Sequence, residues 1–182
     1  MNSTKKIIII VFAILLVTAS IYFGLSMFPA APLQQPVVES CAAAAEVAPD
    51  VLLGMAKMVV ASGPGALQRV KQSHVGNVEQ VKDVAIVHYM KEGGMLTLWT
   101  TLYQNETIAR TENEKMAIGM QKWGGSWASD LKAQTIAEKQ VYKTTSDNLS
   151  HYFWVDGDWI FYIVPHNFSQ EETAEIICAI RS

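Results

Sequence analysis

The chain is 182 residues long, carries a net charge of −3 and is half apolar. Lys5 and Lys6 stand apart from the rest; without them, 12 basic residues face 17 acidic ones, a net charge of −5. A mildly acidic body with no basic run excludes an electrostatic grip on nucleic acid or on anionic lipid.

Residues 7–28, IIIIVFAILLVTASIYFGLSMF, contain no charged residue. As a helix they would span roughly 33 Å, enough for a bilayer core. Lys5 and Lys6 precede the run, and the next basic residue is Lys57. That asymmetry predicts a single-pass signal-anchor with residues 1–6 in the cytoplasm and the remainder outside the cell membrane. A cleaved signal peptide is the rival, but its apolar core is shorter, about 7–15 residues. Residues 29–36, spaced by Pro29, Pro32 and Pro36, read as a semi-rigid linker. Residues 37–182 then form one extracytoplasmic domain of sufficient size for its own core.

The domain reads as α+β. Residues 37–48 are Ala-rich and predict helix, and residues 50–61 place Val51, Leu52, Met55, Met58 and Val59 at helical spacing. Ser62-Gly63-Pro64-Gly65 ends that segment. Val84, Ile86 and His88 alternate with Ala85, Val87 and Tyr89 in a first strand, Gly93-Gly94 turns the chain, and residues 95–103 form a second strand. Residues 107–122 predict a helix, and residues 140–143 a short strand. Two aromatic strands flank Asp156-Gly157-Asp158, and Ser169-x-x-Glu172 is a capping box that opens a last helix. The expected architecture is therefore a transmembrane helix, a helical segment, and an antiparallel sheet with packing helices. The strings His88-Tyr-Met90…Gly94…Asn105 and His151-Tyr-Phe153…Gly157…Asn167 further suggest a strand–turn–strand–helix unit used twice, at an offset of about 62 residues. Such a repeat puts the helices mainly on one face and His88 and His151 in equivalent positions.

Few residues carry chemistry. His88 and His151, with Asp156 or Asp158 nearby, are the only candidate metal set, and no paired His or Cys spacing supports it. No cofactor is implied. Cys41 and Cys178 are candidates for a disulfide in an oxidising compartment. Asn105, Asn148 and Asn167 begin sequons, which marks a candidate glycoprotein surface. Trp123 and Trp127 flank a Gly-Gly-Ser loop and are candidates for ligand stacking. Met55, Met58, Met116 and Met120 read as core. Ser126 lacks a nucleophile setting, so the sequence leans away from an enzyme.

Residues 153–163 followed by 169–177 resemble the hairpin-then-helix ending of lipoprotein-carrier-like and anti-sigma-associated extracytoplasmic domains. The resemblance implies an exported α+β module and transfers no catalytic residue. The expectation is a membrane-anchored, non-enzymatic module that binds a partner protein or small ligand. The alternatives are a metal-dependent or hydrolytic enzyme using His88 and His151, and an apolar-ligand carrier.

Overall fold

The computed structural model describes residues 43–73, 80–125 and 129–180. The predicted anchor, the linker, Cys41, His74 and Trp127 lie outside them. Within them no helix is long and apolar enough to cross a membrane.

The described chain runs α1 (Ala43–Glu46), β1 (Val51–Leu52), β2 (Met55–Ser62), α2 (Gly63–Ser73), β3 (Val81–Lys91), β4 (Gly94–Tyr103), α3 (Glu106–Trp123), β5 (Lys132–Ile136), β6 (Lys139–Ser146), β7 (Leu149–Asp156), β8 (Trp159–His166) and α4 (Gln170–Ala179). All eight strands join one antiparallel sheet in the order β1-β2-β3-β4-β8-β7-β6-β5. The expected α+β class with a helical N-terminal segment is therefore corrected. The domain is mostly a single sheet with four short helices.

The largest error falls on residues 50–61. Leu53 and Gly54 both take left-handed φ, 49° and 80°, and make the two-residue turn that pairs β1 with β2. β2 then lies along β3, so the apolar positions that mimic a helical stripe belong to a strand near the sheet edge. Gly63-Pro64-Gly65, read as a terminator, instead opens α2. Proline is tolerated in a first helical turn, where its missing N–H has no partner to lose. Ala137-Glu138 and Asp147-Asn148 are two further left-handed pairs, and they close the β5–β6 and β6–β7 hairpins.

Strand alternation sorts the side chains onto two faces. On one, Val87 of β3, Leu98 of β4, Ile163 of β8 and Trp154 of β7 form the main core under α1 and α4, which contribute Ala44, Ile176 and Ile177. The two helices cover the centre of this face, termed the sealed face, and leave Val59, opposite Val87, 49% exposed toward its edge. Lysines from the strands fix both helices. Lys57 Nζ donates to Ala45 O (3.0 Å) and Ala48 O (2.9 Å), behind α1. Lys139 Nζ donates to Ile177 O (2.9 Å), Cys178 O (3.2 Å) and Ile180 O (3.1 Å), at the end of α4. Neither helix carries a basic residue in its own last turn.

On the second face, α2 covers Val84 and Ile86, while α3 covers Tyr103 and Ile160. Two helices per face overturn the expected one-sided arrangement. The hairpins β3–β4 and β7–β8 are each followed by a helix, and β4 pairs with β8 at the centre. Yet α3 packs on one side and α4 on the other. Asn105 leads into α3 from an extended backbone with φ −163°, whereas Asn167 takes φ 60° and reverses the chain before α4. The registers also shift the repeat. Lys91 and Gly94 close the first hairpin, and Asp156 and Trp159 close the second. On that alignment His88 corresponds to Phe153, and the expected equivalence of His88 and His151 does not hold.

Candidate functional site

Among the described residues, the second face is covered only at the end where α2 and α3 sit. Toward the β3–β4 turn the sheet is left partly open, and the registers define three rows there. The first row runs Ile86–Trp99–Tyr162–Phe153–Tyr142, each residue directly opposite the next. Ring centroids are 6.1 Å apart for Trp99–Tyr162, 6.1 Å for Phe153–Tyr162 and 5.0 Å for Tyr142–Phe153. Phe153 is buried, whereas Trp99, Tyr162 and Tyr142 keep some exposure. The second row sets Met58 against His88, His88 against Thr97, and Thr97 against Val164. The third sets Met90 against Met95, and Met95 against His166. Met58 and Met90 are 48% and 60% exposed. The core role expected for Met58 is thus corrected: it was assigned to a buried helix stripe and stands on an open strand.

His151 is buried beside this row and fully engaged. Its Nδ1 lies 2.8 Å from the Tyr162 hydroxyl, and its Nε2 lies 3.4 Å from the Ser146 carbonyl. With the ring proton on Nε2, the carbonyl accepts from the imidazole and Nδ1 accepts from Tyr162. Burial lowers the His151 pKa, partly opposed by the Ser146 carbonyl and the Asp147 charge. Burial also raises the Tyr162 pKa far above its ordinary value. Both groups are therefore neutral at pH 7 and form a positioned but uncharged pair.

The structure does not assemble the predicted metal set. His88 and His151 share a face, but β4 and β8 lie between their strands, a separation of roughly 14 Å at the usual strand spacing. Asp156 alternates to the sealed face, and the Asp158 carbonyl accepts the Tyr103 amide (2.9 Å) in the turn. Among the described residues, no group of three His, Cys, Asp or Glu residues could hold a metal ion. Trp123 ends α3 with 68% exposure, and Lys122 Nζ lies 5.8 Å from its ring centroid. Cys178 is exposed on α4, and the described residues contain no disulfide.

The three sequon asparagines are exposed and differ in engagement. Asn105 caps α3 by accepting the Ile108 amide (3.0 Å), and Asn167 Nδ2 donates to Gly93 O (2.6 Å). Asn148 occupies the β6–β7 turn. Asn148 and Asn167 border one cleft of about 500 Å3 beside the N-terminus of α4, lined also by Lys143, Tyr152, Gln170 and Thr173. Lys143 Nζ sits 5.5 Å from the Tyr152 ring centroid.

No protein family, curated protein or solved structure matches this chain. The resemblance of its last residues to exported carrier-like domains rests on features the structure explains locally, the Gly157-Asp158 turn and the Ser169–Glu172 capping box. Sequence reasoning missed Met58, Met90, Met95, Trp99 and Tyr162 as a group. The signal available was that Met90 and Met95 flank a turn, which places them opposite one another on one face.

Proposed function

We propose that the domain is a non-enzymatic binding module, held outside a membrane by residues 7–28, and that the open part of the second sheet face is its binding surface. One observation carries this reading. The sealed face buries its large side chains under two helices, while on the second face Met58 and Met90 are about half exposed, and Trp99, packed at the edge of the α2 cluster, and Tyr162 keep part of their surface accessible. An apolar and aromatic area kept solvent-accessible in this way is characteristic of a recognition site. The separation of His88 from His151 speaks against an enzyme built on that pair. The stacking of Trp154 on Phe161, centroids 5.5 Å apart within the core, speaks against a carrier cavity inside that hairpin.

Native mass spectrometry of the full chain, released from membranes in detergent, tests the reading. The expected result is a retained mass that is lost in Trp99→Ala but kept in Trp123→Ala. A retained mass indifferent to Trp99→Ala, or a bare chain, would overturn it.

A further inference from the structure

We infer that Met58, His88, Met90 and Met95 form a site for a soft monovalent metal cation of the Cu(I) class. Register alone brings them together. Met58 lies directly across from His88 on the neighbouring strand. Met90 is two residues along the strand from His88, on the same face, and Met95 lies directly across from Met90. Opposed side chains stand about 5 Å apart at Cβ, and diagonal neighbours roughly 7–8 Å. Two thioethers at a time, Met58 with Met90 or Met90 with Met95, can therefore close with the imidazole on one ion; Met58 and Met95, on opposite sides of β3, do not reach it together. His166, exposed and opposite Met95, borders the same group.

Exposure and chemistry point the same way. Methionine ordinarily fills cores, yet Met58 and Met90 are about half exposed and gathered around a half-buried histidine. Among the described residues the His88 imidazole has no hydrogen-bond partner, unlike that of His151. Thioether and neutral imidazole donors carry no charge and are polarisable. They suit a soft cation of single charge and give little hold on Mg2+ or Ca2+, which require oxygen ligands. The lack of a carboxylate or thiolate cluster among the described residues removes the usual competitor for a divalent ion.

This inference rests on the open face being the binding surface, and the experiment separates the two. The full chain in detergent, labelled with 13C at the methionine methyls and carrying Cys41→Ser and Cys178→Ser, is titrated with Ag(I). Affinity for Cu(I) is then measured by competition with a chromophoric Cu(I) chelator. The expected result is one equivalent bound, with shifts at the methyls of Met58, Met90 and Met95 and none at Met55, which is buried on the sealed face. Met58→Leu with Met90→Leu keeps side-chain volume and is expected to weaken Cu(I) binding by about 10-fold or more. Unmoved methyls at the three positions, or an affinity unchanged in the double variant, would overturn the metal site. If the Trp99-dependent mass is still retained in that case, the binding surface stands and only the metal is wrong.

Discussion

Lys139→Met would measure how much of the sealed face depends on one side chain. The ammonium donates to three carbonyls at the end of α4, and that helix has no cation of its own there. A hydrogen bond to a charged group contributes about 1.5–3 kcal/mol when shielded, and a cation at a helix C-terminus about 0.3–1 kcal/mol. The three bonds share one ammonium that is half-buried, and water can replace part of each, so the contributions do not add. A net loss of about 2 kcal/mol follows, or roughly 4–8 °C in Tm for a domain of this size. Methionine keeps most of the aliphatic stem, so the loss reports the ammonium. Urea unfolding followed by tryptophan fluorescence reads it, since Trp154 and Trp159 are buried. Lys132→Met, at an exposed position on β5, is the control and should stay within about 0.5 kcal/mol. If Lys139→Met is as mild as Lys132→Met, the capping argument is refuted.

The lowered pKa of His151 means the folded state binds its proton less readily than the unfolded chain. Stability should be complete above about pH 6.5 and decline as pH falls below it, toward the folded pKa. His151→Gln should flatten the pH dependence of the urea midpoint between about pH 6.5 and 5, above the range in which carboxylates titrate. An unchanged slope would remove His151 as its source. Ser169→Ala removes the hydroxyl that accepts the Glu172 amide (3.0 Å) and should cost about 1 kcal/mol in the same assay. Asn113 is buried in α3, and its Oδ1 has no hydrogen-bond partner among the described residues. Asn113→Leu is therefore expected to stabilise by about 1 kcal/mol, and a loss of that size would show that the amide is engaged after all.

The sequence made the centre of the sheet legible and its edges obscure. β3, β4, β7 and β8 announce themselves through β-branched and aromatic runs around glycine turns, and α4 through its capping box. β1, β2 and β5 are short or lie toward the sheet edges, and their turns use Leu53, Ala137 and Glu138 in left-handed conformations that those residue types do not advertise. Face assignment was hidden for a different reason. His151, Tyr152, Phe153 and Trp154 are all buried, so alternation in β7 separates two cores rather than core from water. The open face was out of reach for the same reason: with Met58 assigned to a helix, nothing placed it beside His88.

The position of β8 has a consequence for the order in which the molecule can form. It is the last of the described strands in sequence, yet it lies in the middle of the sheet, between β4 and β7. A chain emerging N-terminus first can pair β3 with β4 early, but it cannot join the two halves of the sheet until residues 159–166 arrive. Its central pairing is non-local, and contacts of that kind form slowly because a long loop must close first. The two halves of the sheet therefore stay unjoined until β8 has emerged. It also means that truncation inside β8 would leave two unjoined half-sheets with exposed edges, not a smaller version of the same domain.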